Sequence, residues 1–281
     1  MTQQADPTIL DAAATDPAKA RDEAGAGAVI SATGIRKGFS GVSVLEDVRF
    51  DARGGEVHTL MGENGAGKST LMKILAGVHR PDAGQVLLDG RPVTLASPHA
   101  AMRLGIALIH QEPLSFPDLS VAENIFLGRG VPRGAAGQID WSAMRSRAAA
   151  LLSTLGVALD PWTKMRGLSI ADQQMVELAA ALSQKARVLL MDEPTAALTP
   201  GEVANLFRIV RRLRDEGVAI VFISHRLEEV FSISDRITVL RDGGFVGPRR
   251  VSETSTAEIL STMVGRPLGE MYEKPSASIG E

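Results

Sequence analysis

Gly62-Glu63-Asn64-Gly65-Ala66-Gly67-Lys68-Ser69 is the stretch on which the reading of this chain turns. It satisfies G-x-x-x-x-G-K-[ST] at every specified position. The run before it, Glu56–Met61, is apolar enough for a buried strand. After it, Leu71, Met72, Ile74 and Leu75 carry a helical period, with Gly77 as the stop. A strand, a glycine-rich loop and a helix are the setting that pattern requires. Gly62, Gly65 and Gly67 let the backbone curl with its N–H groups facing inward. Those donors, with the positive end of the following helix, suit a polyphosphate. Lys68 is placed to reach the β- and γ-phosphates, and Ser69 to ligate Mg²⁺. A plain glycine turn with an exposed lysine is the competing reading, which the full match in context disfavours.

A second acidic feature points the same way. Val188-Leu189-Leu190-Met191 reads as a buried strand ending in Asp192-Glu193. In an open α/β sheet, ligands bind at the carboxyl ends of the strands. Asp192 is therefore placed to hold Mg²⁺, directly or through water. Glu193, one residue on, points elsewhere and is placed to polarise an attacking water. Alone, two acids at a strand end are a solvated terminus; beside a phosphate loop they are a site.

Working outward, short β-type runs are expected at Val29–Thr33 and Val44–Phe50. Gln85–Leu88 and Arg91–Thr94 flank Asp89-Gly90, a strong hairpin signal. Ser97-Pro98 opens a helix as N-cap and N1, Gly105 closes it, and Ile106–Ile109 is a short strand. From Pro113 to about Gln184 strand signals stop. Helical patterns take over at Ser120–Leu127, Trp141–Leu155 and Ser169–Leu182. Strands return at Arg187–Met191, Val218–Ile223 and Arg236–Leu240. The expected architecture is α/β, a parallel-sheet core with an inserted α-helical subdomain over about 113–184. Residues 1–28, rich in Ala, Asp and Gly, read as a disordered tail, residues 29–265 as the folded domain, and residues 266–281 as a linker or tail that begins near Met263.

Composition sets limits. The chain has 281 residues, 44% of them hydrophobic, enough for one large core. A net charge of -3 gives no global basic field for nucleic acid. The basic cluster Arg208, Arg211, Arg212 and Arg214 reads as a solvated helix face. There is no cysteine, which excludes disulfides and thiolate metal sites. No stretch has the roughly 18 to 20 apolar residues of a membrane span, and no secretory signal is present. Work at a membrane would therefore run through a partner. Aromatics at 4% argue against a base-stacking surface.

From Val29 to Met263 the sequence resembles the ATP-binding cassette (ABC) family of P-loop ATPases. The resemblance implies ATP and Mg²⁺ as cofactors, bound by Gly62, Glu63, Asn64, Gly65, Ala66, Gly67, Lys68, Ser69 and Thr70. It implies an antiparallel β subdomain beside the core. It identifies Gln111 with the family's Q-loop glutamine, which meets Mg²⁺ or water and signals to the membrane subunit. His225, in Ile223-Ser224-His225, matches the switch histidine at the γ-phosphate. Phe39, in Arg36-Lys37-Gly38-Phe39, matches the aromatic that stacks on adenine, with a core Phe as the alternative. Catalysis then falls to Glu193, His225, Lys68 and Gln111, and the metal to Ser69, Gln111 and Asp192.

Leu168-Ser169-Ile170-Ala171-Asp172-Gln173-Gln174 stands in place of the family's Leu-Ser-Gly-Gly-Gln signature, whose serine and second glycine reach a partner's γ-phosphate. Here Ser169 and Ala171 would take those parts. Ser169-x-x-Asp172 also reads as a helix start, so Asp172 is expected to turn back and cap the helix. An unpaired carboxylate facing ATP would repel it. The variant, with Met175-Val176-Glu177 after it, resembles the monosaccharide-importer branch (ribose, galactose, xylose types). So does Glu193-Pro194-Thr195-Ala196-Ala197-Leu198-Thr199, where Thr199 replaces the D-loop aspartate.

The resemblance thus implies an ATPase that powers sugar import from the cytoplasmic face of the inner membrane. Its implied partners are a second cassette, membrane permease subunits docked on the helical insert and, indirectly, an external sugar-binding protein. Many members of that branch carry two cassettes; here there is one phosphate loop and one signature, and Met263-Val264-Gly265-Arg266 resembles the run-in to a second. A cytosolic ABC ATPase acting on nucleic acid or ribosomes and a non-hydrolysing nucleotide sensor are the alternatives. The first lacks its usual coiled-coil insert and basic linker; the second is disfavoured by intact Lys68, Asp192, Glu193 and His225.

Overall fold

The computed structural model describes residues 27–265. The tail expected over 1–28 therefore lies outside the described residues except for Gly27 and Ala28, and the linker over 266–281 lies outside them entirely. Ala28 already opens the first strand.

Six strands form the main sheet. In chain order they are β3 (Glu56–Gly62), β6 (Ile106–Ile109), β7 (Val188–Asp192), β8 (Ala219–Ile223), β9 (Arg236–Arg241) and β10 (Gly244–Arg250). The spatial order is β10-β9-β3-β8-β7-β6. Every pairing is parallel except that of β9 with β10. Parallel strands are buried on both faces, which is why β7 and β8 are continuous apolar runs without alternation.

A second, antiparallel sheet has the order β2-β1-β4-β5, with β1 at Ala28–Phe39, β2 at Val42–Arg53, β4 at Ala83–Leu88 and β5 at Arg91–Val93. Both β1 and β2 run well past their expected ends. The extra residues, among them Arg36-Lys37-Gly38-Phe39, are too polar to alternate, and their pairing is broken by register shifts that hide the period. The hairpin at Asp89-Gly90 forms as expected, Leu88 facing Arg91 across a two-residue turn. One apolar cluster joins the two sheets around α1 (Lys68–Leu75), and includes Ile35, Leu45, Leu60, Leu71 and Ile223.

Helix α2 (Pro98–Arg103) starts on Ser97, whose Oγ accepts from the Ala100 N–H. The insert follows as α3 (Val121–Phe126), α4 (Trp141–Leu155) and α5 (Ile170–Ser183). These helices pack through Ile125, Met144, Leu152, Val176 and Leu178 onto the sheet face carrying Leu189 and Phe222. Helix α6 (Pro200–Asp215) displays Arg208, Arg211 and Arg212 outward, as the charge pattern predicts. Helix α7 (Leu227–Ile233) and α8 (Thr256–Val264) complete the described chain. Met263, near which the linker is expected to begin, instead lies within a helix that covers β9, with Ile259 buried against Ile237 and Val239.

Candidate active site

Adjacency in the sheet builds the site. β3, β8, β7 and β6 are neighbours and parallel, so their carboxyl ends share one edge. Those ends deliver Gly62 and the phosphate loop, Ser224-His225, Asp192-Glu193 and His110-Gln111 respectively. Residues from four distant parts of the sequence thus meet at one rim, as expected for ligand sites on such sheets.

The loop's glycines have local reasons. Gly62 sits at φ 149°, and a Cβ there would run into the carbonyl oxygen of Leu240. Gly67, at φ 97°, caps α1, and a Cβ would collide with Leu45 and approach the Val44 oxygen to 2.9 Å. The loop is therefore held tightly between β9 and β2. The Ala66 N–H donates to Glu63 O at 3.2 Å, closing the curl. Glu63, Asn64, Gly65 and Ser69 face solvent, Thr70 is half-buried, and Ala66 is buried.

Lys68 is buried, and its Nζ donates to Gly62 O and Glu63 O, both at 2.9 Å. The ammonium thus lies across the loop it belongs to. Burial pulls it below the usual lysine range, and the charges of Glu193 and Asp192 pull the other way. A polyphosphate would supply the compensation that a desolvated cation lacks.

Ser69 Oγ donates to Asp192 Oδ1 at 3.3 Å. Burial raises the Asp192 carboxyl above its ordinary range; the Ser69 bond lowers it, and the Glu193 charge raises it further. Among the described residues no group of three His, Cys, Asp or Glu gathers as a metal cage. One hydroxyl and one carboxylate, both hard oxygen donors, instead match Mg²⁺ held jointly by protein and substrate phosphates. The donor set fits that ion.

Glu193 is the hub of the remaining contacts. Gln111 Nε2 donates to Glu193 Oε2 at 3.3 Å, and His225 Nδ1 lies 3.4 Å from the same oxygen. Glu193 has φ 47°, a left-handed backbone unusual for a residue with a side chain. Its N–H donates to Ile223 O at 3.2 Å, tying it to the end of β8, two residues before His225. Gln111, Glu193, His225, Ser69, Asp192 and Lys68 thus form one constellation.

Three expected site residues lie apart from it. Phe39 is 41% exposed on β1; its ring meets His79 edge-on at 5.2 Å and the Lys37 ammonium at 5.3 Å. At that exposure it is not a core Phe. Ser169 and Ala171 start α5. Ser169 Oγ accepts from the Asp172 N–H at 3.1 Å and donates to Asp172 Oδ2 at 2.8 Å. Asp172 does turn back on the helix start, and it takes the serine hydroxyl. Thr199 is likewise a cap: it heads α6 in a capping box with Glu202.

Sequence reading missed two groups. Glu229, buried on α7, accepts from Thr195 Oγ1 and Ser224 Oγ, each at 2.7 Å. Glu177, buried on α5, meets His110 Nδ1 at 2.7 Å and the His110 N–H at 3.3 Å. Burial raises the Glu177 carboxyl, and the His110 bond lowers it. This pair floors an apolar groove of about 360 Å³ between the core and the insert, walled by Val78, Met102, Leu108 and Leu114. Leu114 on its lip is 70% exposed and Phe116 nearby is 57% exposed. Acids on apolar helices carry a faint signal, a charge inside an apolar period, which fits a helix end as well as a buried group.

Comparison with known proteins decides the family. The ABC transporter family profile matches residues 45–196. The chain belongs to the ABC transporter family. Among the relatives of this cassette are the ribose import ATP-binding protein RbsA 2 of Streptomyces avermitilis, 56% identical over 92% of this chain and 51% of that protein, and RbsA of Geobacillus kaustophilus, 50% identical over 90% and 51%. The cassette spans about half the length of the curated relatives it matches. Among solved structures, a nucleotide-free ATP-binding cassette from an ABC transporter superposes with a TM-score of 0.74 at 25% identity, over 90% of this chain and all of that one. The ADP conformation of another such cassette gives 0.73 at 25% identity, over 87% and 98%. The α/β architecture with its parallel core, antiparallel β sheet and helical insert is the expected one.

Proposed function

We propose that this cassette hydrolyses ATP to power import of a monosaccharide through a membrane permease. One observation carries the reading: Gln111 and His225 both converge on the Glu193 carboxylate, beside the Ser69–Asp192 pair and Lys68. Phosphate binding alone would not need a carboxylate held there.

In this reading Phe39 stacks the adenine, and residues 62–70 with Lys68 hold the phosphates. Ser69, Gln111 and Asp192 hold Mg²⁺, which when bound offsets charge on the β- and γ-phosphates. Glu193 takes a proton from water as the water oxygen bonds to the γ-phosphorus and the bond to ADP breaks. Gln111 orients that water, and His225 donates to the transferring group. Ser169, which bonds to Asp172, and Ala171, which packs on the apolar cluster of the insert and sheet, serve the site of a second cassette. The groove beside Gln111 receives an apolar helix of the permease, which places the cassette on the cytoplasmic face of the membrane. No helix among the described residues is long and apolar enough to cross a membrane itself. The sugar rests on the relatives, whose names specify ribose import; an external binding protein would deliver it.

The test pairs two variants. Glu193→Gln should retain ATP binding and lose turnover by roughly 10²- to 10⁴-fold. Leu114→Arg should leave the isolated ATPase intact and abolish sugar uptake in cells that depend on this cassette. Undiminished hydrolysis in the first removes the catalytic assignment; undiminished uptake in the second removes the docking groove.

A further inference from the structure

Glu229 touches none of the residues assigned to phosphates, metal or water. It lies on the first turn of α7, 8% exposed, and all of its recorded partners are donors. Oε2 accepts from Thr195 Oγ1 and from Ser224 Oγ, both at 2.7 Å. Oε1 accepts from Arg226 Nη1 at 3.2 Å. Ser224 Oγ in turn accepts from the Arg226 N–H at 3.0 Å. A carboxylate this buried costs several kcal/mol to desolvate unless fully bonded, so its partners are not incidental.

What those partners flank is the point. Thr195 follows Glu193 by two residues, and Ser224 directly precedes His225. One oxygen atom therefore clamps the loop after β7 to the loop after β8. The backbone bond from Glu193 N–H to Ile223 O ties the first of these loops to the end of β8 as well. These two ties adjoin in sequence the Glu193–His225 pair, 3.4 Å apart, and the left-handed Glu193 backbone.

We infer that Glu229 is a positioning residue for hydrolysis: through Thr195 and Ser224 it holds Glu193 and His225 in register. This rests on the hydrolytic reading above. Fixed geometry matters because a misplacement of about 1 Å can cost 10²-fold in rate.

The experiment measures ATP hydrolysis by the full chain. Glu229→Ala should lower kcat by roughly 10- to 100-fold, with KM for ATP within about twofold, since the phosphate loop is untouched. Glu229→Gln keeps an amide oxygen that can take both hydroxyls, and should recover kcat to within about threefold of the parent. Adding Thr195→Val to Glu229→Ala should cost little more, because the two act as one unit. Equal losses in the Ala and Gln variants, a KM that rises with the fall in kcat, or an unchanged Glu229→Ala enzyme would each overturn the inference. Should Glu229→Ala not fold, Thr195→Val and Ser224→Ala each remove one donor, and unchanged kcat in both overturns it. Glu193→Gln run alongside separates the failures: if it still turns over, the hydrolytic reading is what has failed.

Discussion

The Nδ1 atom of His225 lies 3.4 Å from Oε2 of Glu193, although 32 residues separate them in the chain. The register of β7 against β8, with Asp192 beside Ile223, brings them there. His225 is 54% exposed in its side chain and Glu193 only 19%, so the pair has an open and a sheltered member. The sheltered carboxylate suits a group acting on water; the open imidazole suits one that meets an incoming phosphoryl group.

His225→Ala should therefore reduce turnover by roughly 10²-fold or more while ATP affinity stays within about threefold. Single-turnover hydrolysis beside equilibrium binding of a fluorescent nucleotide separates the two. Parallel loss of affinity and rate would make His225 a binding group instead.

Asp192 should govern metal dependence. In Asp192→Asn the gain in ATP affinity on adding Mg²⁺ should shrink by at least the roughly tenfold that even outer-shell partners carry. Binding of ATP without Mg²⁺ should improve slightly, since one negative charge is gone. The pH dependence has a definite sign. Burial raises the Asp192 carboxyl, and only its ionised form ligates a cation. Mg²⁺ affinity should then climb as pH rises through that raised value, and the Asn variant should show a shallower climb. Isothermal titration across the acidic range measures both.

Ser169 and Asp172 predict a separation between folding and dimerisation. Removing the hydroxyl in Ser169→Ala should cost about 1 kcal/mol of stability through the lost cap. Asp172→Asn should leave ATP-driven association within about twofold, because the carboxylate faces its own helix start. Thermal melts and sedimentation with non-hydrolysable ATP test the pair. Sharply tighter association in Asp172→Asn would mean that the carboxylate does face the phosphate.

His58 should make the fold acid-sensitive. It is fully buried on β3, with Nδ1 donating to Asp51 O at 2.6 Å and Nε2 meeting Thr238 Oγ1 at 2.8 Å. Burial, reinforced by the Arg236 charge, depresses its pKa from 6.5 to about 3. The unfolded chain takes a proton below 6.5 and the folded chain does not. Stability is thus fully present above that pH and falls at about 1.4 kcal/mol per pH unit below it, down to the folded value. His58→Asn should flatten this slope in urea melts between pH 6.5 and 4.

Much of this was legible because local chemistry and global role coincided. The phosphate loop, the apolar β7 ending in Asp192-Glu193, and the caps Ser97 and Ser169 each announce themselves within ten residues. What stayed hidden was either irregular or non-local. The polar ends of β1 and β2 are strands only because their neighbours pair with them. β10 is an edge strand with the composition Gly-Phe-Val-Gly-Pro-Arg-Arg, which reads as a turn. α8 did leave a signal, the capping box of Ser255 and Glu258, and went unread because glycine and proline follow it. Glu229 and Glu177 could not be ranked from sequence. A buried acid is defined by partners 34 and 67 residues away.

The strand order carries a consequence for how the protein is made. β3, which presents the phosphate loop, hydrogen-bonds only to β8 and β9 in the sheet. During synthesis the loop emerges from the ribosome more than 150 residues before either flanking strand exists. Until β8 is made it belongs to a central strand with both edges bare, the arrangement most open to wrong pairing. A chain cut short before residue 219 thus carries the whole motif without the strand that brings Ser224-His225 beside it.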